Sequence, residues 1–191
     1  MERPAAGRRT VALVGLRCTG KTSVGRSLAV RLGRPFVDLD ERTAARGRAA
    51  GWTAPAAGDL LAAAGLAEFR RLEADALDEV LDAALAAGEP IVLATGGGVV
   101  ETPRCRGRLA RDAVVAWLTA GVEELGRRLR SDPTARPSLT GADPVAELAV
   151  LLKRRAPLFR EVATWTIDCG DRGIDEVAAE LHTRLRAAGA A

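Results

Sequence analysis

The chain predicts an α/β fold, a parallel β-sheet covered by helices on both faces in three α/β/α layers. Short β-branched, apolar runs alternate with segments of helical periodicity throughout its 191 residues, the pattern of strands joined by helical crossovers. The first of these runs leads through Gly15-Leu16-Arg17-Cys18-Thr19-Gly20-Lys21-Thr22, a glycine-bounded turn, directly into a helix. No repeat or long linker interrupts the alternation, so residues 1–191 read as a single domain.

The elements follow in order. Thr10–Val14 is a short buried strand, and Val24, Leu28 and Leu32 give the helix Lys21–Leu32 its apolar spacing. A second strand over 35–39 ends in Asp38-Leu39-Asp40. A polar, basic helix start over 41–50 and a small-residue loop over 51–58 come next. A long helix over about 67–87 presents Phe69, Leu72, Ala76, Leu77, Val80 and Leu81 on one face and stops at Gly88. The third strand, 91–94, runs into Thr95-Gly96-Gly97-Gly98, and the fourth is 114–118. The helix over 121–130 begins with Glu123 and Glu124 and ends with Arg127, Arg128 and Arg130, as the helix dipole favours. Residues 131–144 hold three prolines and read as an irregular flap. A helix over 145–155, a strand over 165–168 and a closing helix over 174–188 complete the chain.

Bulk composition narrows the classes. At 48% apolar residues the chain can bury a full core, and no apolar run approaches the roughly 20 residues of a membrane span. Residues 1–9 are short, polar and basic without an apolar centre, which reads as a disordered start rather than a signal peptide. A net charge of +3, dispersed arginines and few aromatics argue against a nucleic-acid partner. Cys18, Cys105 and Cys169 show no metal-ligand spacing and read as free thiols of a reducing, cytoplasmic protein. His182 sits in a helical pattern as a packing or surface residue.

The loop at 15–22 matches G-x-x-x-x-G-K-[ST] between a strand and a helix, the context a phosphate-binding loop requires. Its backbone N–H groups can curl around phosphate oxygens at a helix N-terminus. Gly15, Cys18, Thr19, Gly20, Lys21, Thr22 and Ser23 are the expected ATP-binding residues, with Lys21 reaching the β- and γ-phosphates and Thr22 binding Mg²⁺. Lysine occurs only at Lys21 and Lys153 among 28 basic residues. A chain that uses arginine almost everywhere keeps a lysine where a compact ammonium is needed.

Ligands of open α/β sheets bind at the carboxyl ends of the strands, which puts this loop, Asp38, Asp40 and 96–98 on one rim. Alternation along a strand would point Asp38 and Asp40 to the same side, suiting one metal role and one substrate role. Two solvated acids in a turn are the plainer reading. Gly96-Gly97-Gly98 offers close backbone approach to a ligand, or is a bare flexible turn. Arg70 can fork onto a carboxylate, held by Glu73 three residues on, or form an ordinary surface pair; the same choice holds for Arg136 and Arg155.

Together these motifs resemble shikimate kinase over residues 11–185. The elements stand in that family's order: the phosphate loop continuing Lys-Thr-Ser-Val-Gly-Arg, Asp38-Leu39-Asp40, Phe69-Arg70-Arg71-Leu72-Glu73, the three glycines, Arg136-Pro137, and Arg155-Ala156-Pro157-Leu158-Phe159. The resemblance implies ATP-dependent phosphorylation of the 3-hydroxyl of shikimate by a monomer with a five-stranded sheet of order 2-3-1-4-5. It implies that Asp40, Arg70, Gly96, Gly97, Gly98 and Arg155 bind shikimate, the two arginines clamping its carboxylate and Asp40 orienting the attacking hydroxyl or accepting its proton. Asp38 would hold Mg²⁺ through water, and Lys21 and Arg136 would neutralise the transferring phosphoryl group. Arg128 and Arg172 would flank the adenine, Arg136 would ride on a mobile lid over about 130–143, and about 41–72 would form the substrate-binding helical insert.

The chain departs from the family pattern in places. Residues 51–59, Gly-Trp-Thr-Ala-Pro-Ala-Ala-Gly-Asp, lengthen the insert and lack the S-I-x-[DE]-I-F pattern; Ser138 stands where a leucine is usual; and Cys18 is unusual inside the loop. A kinase of a related acid, such as an aminoshikimate, quinate or gluconate, is the alternative, and a nucleotide-binding protein without catalysis is a third reading.

Overall fold

Every residue of β1 (Thr10–Val14) is buried, as the central strand of a parallel sheet with both faces covered must be. The computed structural model describes residues 9–131 and 144–191. In it β1 pairs in parallel with β3 (Val92–Ala94) on one side and β4 (Ala113–Thr119) on the other. β2 (Phe36–Asp38) lies outside β3, and β5 (Trp165–Asp168) outside β4. The order is therefore β2-β3-β1-β4-β5, as the resemblance implies.

Alternation on β1 divides the core. Val11 and Leu13 face α1 (Lys21–Leu32) and α7 (Ile174–Ala187), meeting Val24, Leu28, Leu181 and Leu185. Ala12 and Val14 face the other layer, where Leu77 of α3 (Ala57–Ala87), Leu109 of α4 (Pro103–Asp112), Leu125 of α5 (Val122–Ser131) and Phe159 of α6 (Pro144–Val162) pack together. Phe159 stacks on Trp117 of β4 with ring centroids 5.5 Å apart, which fixes α6 against the sheet. A small third cluster of Ala54, Ala57, Leu60, Phe69 and Leu72, with Trp52 against it, joins α3 to the segment after α2 (Leu39–Ala49).

Several expected boundaries move. The second strand stops at Asp38, because Asp38 caps a helix that begins at Leu39 rather than 41. The loop expected over 51–58 ends at 56, and the helix expected from about 67 starts at Ala57: α3 bends at Gly65, whose φ of 78° only glycine adopts readily inside a helix. α4 was not expected at all, and α6 continues through Pro157 to Val162. The chain start over 1–8 and the flap from 132 to 143, with Arg136 and Ser138, lie outside the described residues. Among the described residues no helix is long and apolar enough to cross a membrane.

Candidate active site

The loop between β1 and α1 is shaped by its glycines. Gly15 has φ 147°, and a Cβ there would stand 2.3 Å from the Leu118 carbonyl oxygen, so no other residue fits. Gly20 caps α1 in the left-handed region, and Cys18, at φ 65°, is the one non-glycine residue with positive φ among the described residues. Two hydrogen bonds close the loop on itself: Thr19 Oγ1 donates to the Leu16 carbonyl at 2.8 Å and Lys21 Nζ to the same oxygen at 2.7 Å. Arg17 reaches across to the buried Glu147 of α6 at 3.0 Å. α1 carries no acid in its first turn, where Ser23 is exposed, so its positive dipole end is left for an anion.

Asp38 and Asp40 reach the same rim by a route that strand alternation does not describe. Asp38 is the N-cap of α2: the Asp40 N–H donates to its Oδ1 at 3.0 Å. Its other oxygen, Oδ2, accepts from Thr22 Oγ1 at 2.9 Å. Asp40 sits in the first helical turn and faces the glycine loop instead. A Cβ on Gly96 would lie 2.7 Å from Asp40 Oδ1 and 2.8 Å from Glu73 Oε1, so glycine is what lets both carboxylates approach. Burial pushes the Glu73 carboxyl up, against the pull of Arg70, and the Asp40 charge adds to the rise. A cavity of about 480 Å³ opens beside Thr22, Asp38 and Asp40, walled by Arg48 and by residues 55–57 of the unusual segment. That volume suits a small ligand. A larger groove of about 730 Å³ behind α2 and α3 is lined by none of the expected site residues.

The arginines converge. Arg70 of α3 donates to Glu73 Oε2 at 2.6 Å, the i,i+3 contact its spacing predicts. It is not merely a surface pair, because Arg70 Nη2 and Arg155 Nη2, from α3 and α6, both donate to Glu101 Oε2 at 2.9 Å. Glu101 closes the short 3-10 turn Val99–Glu101, three residues beyond Gly98. Its role was not legible in the sequence. Burial would raise the Glu101 carboxyl, but Arg155, Arg70 and Arg154 together hold it below the usual carboxylate range. Arg155 is itself buried, which pulls its pKa down against the Glu101 hydrogen bond, yet a guanidinium stays charged at neutral pH. Gly97 packs on the phosphate loop, where a Cβ would lie 3.3 Å from the Arg17 nitrogen. The glycine loop thus joins the arginines to the phosphate loop.

Arg128 and Arg172 gather at the end of β5. Arg128 donates to the Cys18 carbonyl at 3.3 Å, to the Cys169 carbonyl at 2.7 Å and to the Gly170 carbonyl, and Glu124 steadies it at 2.6 Å. Arg172 donates to the Asp168 carbonyl at 3.2 Å and pairs with Glu176 and Glu180. Both expected adenine-flanking residues therefore border the segment after β5, and Arg128 also touches the phosphate loop.

Among the described residues no group of three or more His, Cys, Asp or Glu side chains forms a metal cage. The Thr22 hydroxyl and the Asp38 carboxylate are hard oxygen donors side by side. They fit Mg²⁺, which takes one or two protein oxygens and completes its shell with water and phosphate.

Comparison with known proteins agrees with this geometry. The shikimate kinase family model matches residues 17–186. A shikimate kinase from Symbiobacterium thermophilum is 41% identical over 180 residues, covering 94% of this chain and 97% of its own. The structure of the Acinetobacter baumannii shikimate kinase in complex with shikimate superposes with a TM-score of 0.81 at 33% identity, over 94% of each chain. That from Bacteroides thetaiotaomicron gives 0.80 at 28% identity, over 93% of this chain and 98% of the other. With the family model spanning most of its length and a relative 41% identical over 94% of it, the chain belongs to the shikimate kinase family.

Proposed function

We infer that the chain transfers the γ-phosphoryl group of ATP to the 3-hydroxyl of shikimate. The observation that carries this reading is the convergence of Arg70 and Arg155 on one carboxylate oxygen, beside Gly98 and on the same rim as Asp40 and the phosphate loop. A small acid with hydroxyls fits that arrangement: guanidinium forks take its carboxylate at one end, and an aspartate meets its hydroxyls at the other. Arg70 and Arg155 hold the substrate carboxylate, and Gly96, Gly97 and Gly98 let the ring lie close to the backbone. Asp40 orients the 3-hydroxyl and takes its proton as the oxygen attacks phosphorus.

The residues of the phosphate loop position the nucleotide, and Lys21 places its ammonium at the β- and γ-phosphates. Thr22 and Asp38 are the residues that would hold Mg²⁺, which neutralises charge on the phosphates when bound. Arg128 and Arg172 flank the adenine. Arg136, outside the described residues, would neutralise charge on the transferring phosphoryl group, as the family resemblance implies. Residues 41–72 serve as the substrate-binding insert of a single kinase domain. The unbridged cysteines Cys18, Cys105 and Cys169 support a cytoplasmic location, and the family resemblance supports a monomer. Gluconate, a linear acid, makes less of the close glycine shelf, and aminated or saturated ring acids differ from shikimate at the ring itself.

The test is product identity. Incubation with Mg-ATP and shikimate, read by phosphorus NMR and mass spectrometry, is expected to give ADP and a monoester on the 3-oxygen. Phosphate on another oxygen, or free phosphate in place of an ester, overturns the reading.

A further inference from the structure

Glu101 stands inside the arginine clamp, and the proposed reaction has no use for its carboxylate. Its Oε2 accepts from Arg70 Nη2 and Arg155 Nη2, both at 2.9 Å, and its Oε1 accepts from Arg154. Two guanidinium groups from different helices, closing on one carboxylate oxygen, form a carboxylate clamp; the carboxylate it holds here is the chain's own. The grip draws Arg70 onto the glycine shelf, where its Nη2 would be 1.9 Å from a Cβ on Gly98. Both Arg70 Nη atoms are then engaged, Nη1 by Glu73 and Nη2 by Glu101. Arg155 is left with a buried Nε that has no partner.

We propose that Glu101 is an internal competitor for the substrate carboxylate, a specificity-setting side chain that occupies the clamp until an acidic substrate takes it over. The proposal rests on the function inferred above. Glu73 engages a single arginine, at Arg70 Nη1. Glu101 instead takes the Nη2 atoms of both arginines, between them. Displacing a half-buried carboxylate would be costly if it were left without a partner. Arg154 supplies one: its side chain is 59% exposed at the rim and already holds Glu101 Oε1, so Glu101 can yield the inner arginines and keep the outer one. Entry to the clamp then requires a ligand that matches a carboxylate in charge and geometry. A neutral analogue gains nothing from displacing Glu101.

The experiment compares wild type with Glu101→Gln, which keeps shape and removes charge, by steady-state kinetics with shikimate at saturating ATP. The KM for shikimate is expected to fall roughly tenfold, the scale of one charge-assisted contact, with the change on KM rather than on kcat. With the methyl ester of shikimate, which has no carboxylate charge, the substitution is expected to leave KM where it was. An unchanged or raised KM for shikimate overturns the proposal, as does an equal fall for the ester. Thermal melts check that the variant folds; where Glu101→Gln does not fold, Glu101→Asp, too short to reach both inner arginines, is expected to lower KM in the same direction. Wild type that fails to phosphorylate shikimate overturns the function itself, and the proposal with it.

Discussion

Thr22 Oγ1 donates to Asp38 Oδ2 at 2.9 Å and joins the start of α1 to the end of β2. In the proposed reaction this pair supplies two hard oxygen donors for a phosphate-bound divalent cation. Replacing Asp38 by Asn keeps a cap for α2 but removes the charge. The Mg²⁺ concentration for half-maximal ADP release is expected to rise about tenfold or more, with a smaller change in the KM for shikimate. An unchanged Mg²⁺ requirement contradicts the assignment.

Asp40 faces Gly96 and Glu73 rather than the Thr22–Asp38 pair, so the two acids are separable by mutation. Asp40→Asn is expected to lower kcat by about 10²- to 10⁴-fold, the usual worth of a positioned proton acceptor. ATP affinity, measured by calorimetry, is expected to stay close to wild type. Turnover near the wild-type rate would take Asp40 out of its proposed role.

The three thiols differ in reach. Burial pushes the Cys105 thiol up to about 12 and the Cys169 thiol up to about 11, while Cys18 lies partly exposed in the phosphate loop. Thiolates are the reactive form, so a bulky maleimide is expected to label Cys18 first in the native protein and to abolish ATP-dependent turnover. ATP is expected to slow the labelling, as peptide mapping would show. Labelled protein with full activity, or labelling at an unchanged rate with ATP, contradicts this.

Glu101 stabilises the fold even as it competes in the clamp. Its folded-state pKa lies below the unfolded value of about 4.3, so its contribution is present above that pH and is lost as pH falls through the folded pKa. Glu101→Gln is therefore expected to melt lower than wild type at neutral pH, by about 2–4 °C for each 1 kcal/mol lost. The difference is expected to shrink as pH drops below about 4.3. A deficit of constant size across that range, followed by scanning fluorimetry, contradicts the assignment. A loss of stability with a lower KM would be one substitution acting in opposite directions on fold and binding.

Much of the frame is written locally. Thr10–Val14 is buried throughout because both sheet faces are covered, and the loop motif fixes where α1 begins. Other parts depend on neighbours. α4 carries Arg104, Arg106, Arg108 and Arg111 and buries only Cys105 and Leu109, too thin an apolar stripe to stand out; Pro103 at its first position was the available signal. The start of α3 is rich in alanine and glycine, and it is helical because Leu60 packs with Phe69 and Leu72. Asp38 and Asp40 reach the site through a helix cap, which strand alternation could not reveal. Arg70 and Glu73 were legible as an i,i+3 pair, whereas Glu101 meets Arg70 across 31 residues and Arg155 across 54, and no local pattern encodes that meeting.

The most direct test of the central claim is Mg-ATP-dependent ADP release with shikimate, run beside quinate, an aminoshikimate and gluconate. The account predicts fast turnover on shikimate and little on the others. Silence on shikimate with turnover on one of its relatives would contradict it and would move the question of specificity to residues 51–59.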